Sequence, residues 1–207
     1  MRLDVWLHAN GYFESRSRAK LAVRKGLVLV NGRRVKPSYG MRGDERIEVL
    51  ADDRPAGYYK LLELDEEWGI FSGGETVLDL GSSAGGFLLY ASEKAGFVIG
   101  IEYSREFEDQ LERIAREKEN VRVIFGDAFT LDTSTIPALD LILCDLTLEP
   151  AHSMEALKRF LPRLKLGGRV VFVSKGEKVN VPDELRVLRE KKAEEKREWY
   201  LLLEYRG

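Results

Sequence analysis

The segment TVLDLGSSAGGF, residues 76–87, constrains the fold of this chain more than any other stretch. Its apolar beginning predicts a buried strand at residues 77–80, which stops at Gly81 and continues through small residues into a helix beginning near Gly86. Glycines let a backbone turn tightly and approach a ligand closely, and the first turn of a helix presents unpaired N–H groups. This order of strand, glycine loop and helix predicts a cofactor-binding loop in an α/β domain.

The spacing of the glycines indicates which cofactor the loop binds. A dinucleotide-binding loop has the pattern G-x-G-x-x-G, whereas here Gly81 is followed by three other residues and then by Gly85 and Gly86. Asp79 lies in the strand just before the loop, where its carboxylate would repel a diphosphate and attract a sulfonium or amino group. We therefore expect S-adenosylmethionine (SAM), and a nicotinamide dinucleotide is the alternative.

Strands and helices alternate regularly over residues 58–207. The runs LDLILC and RVVFV are apolar on both faces, as in parallel strands covered by helices on each side, which predicts a Rossmann-like α/β domain. The predicted helices cover residues 58–69, 86–94, 107–119, 151–161 and 184–189, and the predicted strands cover 77–80, 97–101, 121–125, 139–144, 169–173 and 199–204.

Acidic residues follow the predicted strands at the edge where ligands of such sheets bind. Glu102 follows the second strand and is expected to accept hydrogen bonds from both ribose hydroxyls of SAM. Asp127 follows the third strand and is expected to reach the adenine amino group, and Asp145 ends the fourth. The predicted SAM site comprises Asp79, Gly81, Ser82, Ser83, Gly85, Gly86, Phe87, Glu102, Tyr103, Asp127, Ala128, Phe129 and Asp145.

Two lysines and two acids are expected to meet beside this site. Lys175 ends an apolar strand at the same edge, Lys60 lies on the helix that enters the domain, and Glu198 opens the last strand. Together with Asp145 they would form a tetrad of alternating charge, and such pairing is how buried lysines are tolerated. His8 and His152 are isolated in the sequence, so no metal site is predicted.

Charge is distributed unevenly along the chain. Residues 1–50 hold eleven Lys/Arg and five Asp/Glu, a net +6, whereas the remainder carries a net −8 within a total of −2. This asymmetry favours a module that binds a polyanion, joined to an acidic body. Residues 51–57, ADDRPAG, are polar, contain proline and glycine, and are predicted to be the linker.

The basic module is predicted to be a small α+β domain of two short helices, a hairpin and a final strand at residues 44–49. Ser15 or Ser17 is expected to cap the second helix, and Asn31-Gly32 is a strong signal for a two-residue hairpin turn. Cations on the second helix and the hairpin tip are expected to form one binding surface, made by Arg16, Arg18, Lys20, Arg24, Lys25, Arg33, Arg34 and Lys36.

Composition gives an expectation for the compartment. No run of 18 apolar residues is present and the first residues lack a signal-peptide pattern, so neither a transmembrane helix nor secretion is expected. The one cysteine, Cys144, lies in an apolar run and is expected to be a core residue. These features predict a cytoplasmic protein.

Two family resemblances sharpen these expectations. RLDVWL, SRSRAK and the VNG turn with its flanking valines resemble, across residues 1–50, the RNA-binding domain named after ribosomal small-subunit protein four. That resemblance implies a structured RNA partner, such as ribosomal RNA (rRNA), read by shape and phosphate contacts. YYKL, DLGSSAGGF, FVSKG and REWYLLL resemble, across residues 58–207, the FtsJ family of RNA ribose 2′-O-methyltransferases. The two-domain order is similar to that of the TlyA (hemolysin-like) rRNA methyltransferases.

The FtsJ resemblance implies that Lys60, Asp145, Lys175 and Glu198 are the catalytic tetrad. Ribose hydroxyls are poor nucleophiles at neutral pH, so methyl transfer needs in-line positioning and a proton acceptor. Burial and the Lys60 ammonium are expected to lower the pKa of Lys175, which would then act as general base or orient the hydroxyl. The alternatives are methylation of an RNA base or a ribosomal protein, an assembly factor that binds SAM and RNA without turnover, and a nucleotide-dependent oxidoreductase.

Overall fold

The chain forms two compact units, Met1–Arg54 and Pro55–Gly207. The computed structural model describes residues 1–13, 15–50, 54–193 and 196–207. Of the predicted linker at 51–57, residues 51–53 lie outside the described residues. The prediction was wrong for Ala56 and Gly57, which already belong to the first helix of the second unit.

In the first unit, the described residues form two helices and a three-stranded antiparallel sheet. Ser15, one of the two predicted caps, accepts a hydrogen bond from the Arg18 backbone N–H at 3.2 Å and begins the second helix. Asn31 and Gly32 have φ values of 51° and 73°, as a two-residue hairpin turn of this hand requires. The elements are α1 Leu3–Ala9, α2 Arg16–Arg24, β1 Val28–Val30, β2 Arg33–Arg34 and β3 Ile47–Val49, with sheet order β2-β1-β3.

The second unit is built on a seven-stranded sheet. Its strand order is β6-β5-β4-β7-β8-β10-β9; the first five strands are parallel, and β10 runs antiparallel to both of its neighbours. Among the described residues, no helix is both long and apolar enough to cross a membrane. The elements are α3 Ala56–Trp68, β4 Thr76–Leu80, α4 Gly86–Ser92, β5 Phe97–Glu102, α5 Glu108–Glu117, β6 Val121–Phe125, β7 Leu139–Cys144, α6 Pro150–Phe160, β8 Leu164–Lys175, β9 Leu185–Lys192 and β10 Glu198–Tyr205.

Helices cover both faces of this sheet, which confirms the predicted Rossmann-like α/β class. On one face, Leu78 and Leu80 of β4 belong to the same buried cluster as Phe160 of α6. On the other face, α4 lies so close to β5 that a Cβ at Gly100 would be 3.0 Å from Leu88. Strands covered on both faces bury nearly all their side chains, which explains the continuous apolar runs in the sequence.

The helix predicted at residues 184–189 is wrong, because this segment lies in strand β9. Leu185 and Leu188 are three residues apart, a spacing that imitates a helix face, and charged residues obscure the alternation typical of a strand. Within the described part of the chain, β9 pairs only with β10, so it is an edge strand. Charged side chains on an edge strand oppose pairing with another chain. The sheet therefore has seven strands where the sequence predicted six.

Candidate active site

Four elements bring the predicted tetrad together at the carboxyl edge of the parallel strands. Asp145 directly follows β7, and Lys175 is the last residue of the neighbouring strand β8. The antiparallel register pairs Lys175 with Glu198, the first residue of β10. Lys60 comes from the second turn of α3. The sheet order thus fixes three of the four side chains, and one helix supplies the other.

Each lysine of the tetrad contacts both acids. Lys60 Nζ lies 2.7 Å from Asp145 Oδ2 and 3.2 Å from Glu198 Oε2. Lys175 Nζ lies 2.5 Å from Asp145 Oδ1 and 3.0 Å from Glu198 Oε1. The exposed fraction of the side chain is highest for Lys175, at 27%, and lowest for Glu198, at 9%. Lys175 is therefore the member most accessible to a substrate.

The opposite charges within the tetrad shift the pKa values of Glu198 and Lys175. Burial favours the neutral form of Glu198, but the two lysines outweigh it and lower the pKa of Glu198 to about 2. Burial also opposes the charge on Lys175, yet Asp145 and Glu198 outweigh that effect and raise the pKa of Lys175 above its ordinary value. The expectation of a lowered pKa at Lys175 was wrong for the ligand-free protein, because two carboxylates face its ammonium.

Tyr200 is a further member of this cluster that the sequence analysis missed. Its hydroxyl donates to Glu198 Oε2 at 3.1 Å, and Lys60 Nζ lies 5.9 Å from the centre of its ring. The same Lys60 Nζ lies 5.9 Å from the centre of the Phe87 ring. The available signal was the spacing of two between Glu198 and Tyr200, since such residues share one face of a strand.

The predicted cofactor loop connects β4 to α4, and its glycines are required by packing. Gly81 and Gly85 have φ values of 82° and 77°, a region that other residues rarely adopt. A Cβ at Gly85 would lie 2.5 Å from Ile114 of α5, and one at Gly86 would lie 2.6 Å from the Tyr58 backbone nitrogen of α3. The loop therefore keeps three helices in close contact, a role that the ligand argument alone did not predict.

Asp79 is a buried acidic residue whose carboxyl group has no hydrogen-bond partner in the part of the chain that the structure describes. Its side chain is completely buried, and neither carboxylate oxygen has a hydrogen-bond partner within the described residues. The Ser82 hydroxyl donates at 3.4 Å to the main-chain carbonyl of Asp79, not to the carboxylate. Burial, together with the negative charges of Asp145 and Glu102, raises the pKa of Asp79 to about 7. A buried carboxylate of this kind is suited to a cationic ligand group.

Glu102 holds the predicted cofactor loop in place. Its Oε2 accepts from the Ser83 N–H and its Oε1 accepts from the Ser104 N–H, both at 2.7 Å. Ser83 has a φ of 48°, a strained conformation for a residue with a side chain, and this hydrogen bond helps to maintain it. Each carboxylate oxygen has a second lone pair available for a ribose hydroxyl.

The remaining predicted cofactor residues lie on the loops after β5 and β6. The side chain of Asp127 accepts from the Phe129 N–H at 2.8 Å and so shapes its own turn. Tyr103 is 76% exposed and Phe129 is 36% exposed, whereas Ala128 is buried. Arg159 of α6 donates to the main-chain oxygens of Ala128 and Leu131 and so fixes this turn against α6.

The predicted RNA-binding cations lie in the first unit, mostly exposed. Six of the eight are exposed, and Lys20 and Lys25 are half-buried. Arg16 Nε is 3.0 Å from Oδ2 of the fully buried Asp4, so Arg16 has a structural role as well. The side chain of Arg34 lies over Gly26, where an added Cβ would be 2.6 Å from its Nε.

Comparison with known proteins gives two family matches. The sequence model of the FtsJ-like methyltransferases matches residues 54–180. The model of the S4 domain matches residues 1–47. The two matches divide the chain in the same order as its two compact units.

Two curated relatives resemble part of the chain. Hemolysin A from Brachyspira hyodysenteriae is 38% identical over 91 residues, which are 42% of this chain and 38% of that protein. Ribosomal RNA large subunit methyltransferase E from Desulfatibacillum aliphaticivorans is 35% identical over 95 residues, 42% of each chain. The matched stretches thus span about two fifths of the length of each relative.

A solved structure resembles the whole chain in fold. A protein from Streptococcus thermophilus, proposed to be a hemolysin, aligns with a TM-score of 0.61 at 18% identity. The alignment covers 100% of this chain and 89% of that chain. At this identity the likeness concerns the fold alone.

Proposed function

The chain belongs to the FtsJ-like methyltransferase family, and from this premise we propose that it transfers the methyl group of SAM to a ribose 2′-hydroxyl of rRNA. One observation carries the proposal. A tetrad in which two lysines each contact two carboxylates lies at the same sheet edge as the glycine loop, and the strand before that loop carries Asp79, a buried acid without a hydrogen-bond partner among the described residues. The tetrad suits activation of a hydroxyl, and the buried carboxyl group of Asp79 suits a cationic cofactor.

The residues at the loop fit SAM, which when bound supplies a methyl group on a sulfonium. Asp79 would pair with the ammonium of the amino-acid end, because a fully buried carboxylate is costly until a cation meets it. Glu102 would accept from the ribose hydroxyls through its remaining lone pairs. Asp127 and the exposed rings of Tyr103 and Phe129 would surround the adenine.

Lys175 is the residue that we assign to the hydroxyl. It is the most exposed member of the tetrad, and Asp145 and Glu198 hold its Nζ from two directions. As general base it must first lose a proton to solvent. Its raised pKa makes that loss unfavourable at neutral pH, so the fraction of neutral base increases as the pH rises. Lys60 stays between the same two acids and would attract a substrate phosphate.

The first unit would recruit the RNA substrate. Its S4 match and its net charge of +6 over residues 1–50 support contact with RNA phosphates. The name of the matched relative from Desulfatibacillum aliphaticivorans, a large-subunit rRNA methyltransferase, favours rRNA as the substrate class. We place the reaction in the cytoplasm, where rRNA is accessible to such an enzyme.

Nucleoside analysis tests this proposal. The full-length protein is incubated with unmodified rRNA and isotope-labelled SAM, and the RNA is then digested to nucleosides for mass spectrometry. Label on the ribose is expected, and the Lys175→Ala variant serves as the control that should produce none. Label on a base would exclude ribose methylation, and no label above the control would exclude methyltransfer to rRNA.

A further inference from the structure

A groove of about 360 Å³ lies in the second unit, between chain segments that follow Asp145 and Lys175 in the sequence. One wall is a face of α6 formed by Pro150, Ala151, Met154, Glu155 and Lys158, and the other is the loop at residues 177–180. This volume lies at the lower end of the range for small-molecule sites and is large enough for one nucleotide unit.

Each wall of the groove begins a few residues after a member of the tetrad. The helix wall begins at Pro150, five residues after Asp145, and the loop wall begins at Glu177, two residues after Lys175. The loop is fixed there, because the Glu177 N–H donates to the Lys175 carbonyl at 3.1 Å and the Ser174 hydroxyl donates to the Glu177 carbonyl at 2.5 Å. A polymer whose ribose reaches Lys175 therefore has a neighbouring nucleotide within reach of the groove.

The lining of the groove suits a base better than a phosphate. Met154 and Val179 are buried and give it an apolar floor, whereas Glu155, Glu177 and Asn180 are exposed at its rim. The two carboxylates offset the two lysines of the lining, Lys158 and Lys178, so the groove has no net positive charge that would favour a phosphate. Carboxylates also accept hydrogen bonds from exocyclic amino groups of bases. Of these two lysines, Lys178 has its Nζ 2.5 Å from Glu190 Oε2, so its charge is also partly neutralised by that acid.

We propose that this groove binds the base next to the methylated ribose and selects a base with an exocyclic amino group. Adenine, cytosine and guanine carry such a group. Uracil lacks one, and its N3–H lies between two carbonyl oxygens that Glu155 and Glu177 repel, so uracil is disfavoured. This inference rests on the proposed RNA methyltransferase function and adds the sequence context of its substrate.

Filling the groove is the first test. Ala151→Trp places a large ring in the groove from an exposed position on α6, and His152→Trp places the same ring on an exposed position outside the lining. Ala151→Trp is expected to lower kcat/KM for rRNA at least tenfold with an unchanged Kd for SAM, and His152→Trp should leave both near the wild-type values. Equal kcat/KM for the two variants would overturn the inference. A loss seen on ribosomal particles but absent on naked rRNA would also overturn it, because the groove would then meet a protein.

Base substitution is the second test. After the methylated nucleotide is mapped with the wild-type protein, each flanking base is changed in turn to uracil in the rRNA transcript. At one flank, uracil is expected to lower wild-type kcat/KM about tenfold, and the double variant Glu155→Gln, Glu177→Gln should reduce that discrimination to about twofold. Tolerance of uracil at both flanks would overturn the inference while leaving the methyltransferase proposal intact. Absence of methylation by the wild-type protein would instead refute the proposed function.

Discussion

The affinity for SAM is expected to depend on pH through Asp79. Its pKa of about 7 means that the ligand-free protein holds this side chain mostly protonated below neutrality. Binding of a cationic amino group requires the ionised form, so the apparent affinity scales with the ionised fraction. That fraction rises about twentyfold between pH 5 and pH 6.5 for a pKa near 7.

Isothermal titration calorimetry over this pH range measures the effect. The Kd of the wild-type protein should fall about twentyfold from pH 5 to pH 6.5. It should rise again above about pH 8, because the α-amino group of the ligand loses its proton there. Asp79→Asn is expected to remove the acidic limb and to weaken binding by about 1.5–3 kcal/mol, the range for a hydrogen bond to a charged group.

The same carboxylate should destabilise the ligand-free protein at high pH. The folded pKa of about 7 lies above the ordinary value of 3.8, so the folded state binds more protons between these values and stability falls as pH rises through them. Three pH units correspond to at most about 4 kcal/mol. Without SAM at pH 8, Asp79→Asn should therefore melt at a higher temperature than the wild type.

Two results would refute this reasoning about Asp79. One is an acidic limb that persists in Asp79→Asn, since another group would then control SAM binding. The other is a lower melting temperature of the variant at pH 8 without SAM, because an ionised, unpartnered carboxylate should be worse than an amide at that position. Scanning calorimetry of both proteins at pH 5 provides the control, where the stability difference should shrink.

The other predictions concern the tetrad, the cofactor ribose and the RNA surface. Lys175→Ala should abolish methylation while the Kd for SAM stays within a few-fold of the wild-type value. The kcat of the wild-type protein should rise about tenfold per pH unit from pH 7 to 9, because the base has a raised pKa. A plateau of kcat below pH 8 would contradict this role of Lys175. Glu102→Ala should weaken SAM binding by about 1.5–3 kcal/mol in calorimetry, and an unchanged Kd would show that Glu102 only holds the loop. Charge reversal at Arg18, Lys20, Arg33 and Lys36 should raise the KM for rRNA. It should also reduce the slope of log affinity against log salt concentration by about 0.7–0.9 for each phosphate that is no longer neutralised. An unchanged slope would show that RNA binds to a different surface.

Local signals in the sequence predicted most of the fold. The Asn31-Gly32 turn, the Gly81–Gly86 region and the doubly apolar strands each depend on a few neighbouring residues, and the structure has all of them. The family matches confirm the resemblances to the FtsJ-like methyltransferases and to the S4 domain. Strand β9 was missed because its identity depends on pairing with β10, which no local pattern reveals.

The site could be predicted as a list of residues more readily than as a set of interactions. Strand ends indicated Asp145, Lys175 and Glu198, and the structure brings them into contact. The pKa of Lys175 could not be predicted, because its direction depends on how many carboxylates face one ammonium. The contacts of Glu102 with Ser83 and of Arg16 with Asp4 were missed because each joins residues that are distant in the sequence.

The charges at the sheet edge explain why cofactor and substrate can share it. Asp145 and Glu198 are each balanced by contact with two lysines, so the tetrad is neutral as a whole when all four are ionised. Asp79 has no such contact among the described residues, so it is the acid that a cation can neutralise. A buried ion cluster is seldom held for stability, since desolvation costs about as much as the attraction returns. Under the proposed function, the tetrad would therefore fix the position of Lys175 for a hydroxyl, and Asp79 would pair with the cationic amino group of the cofactor.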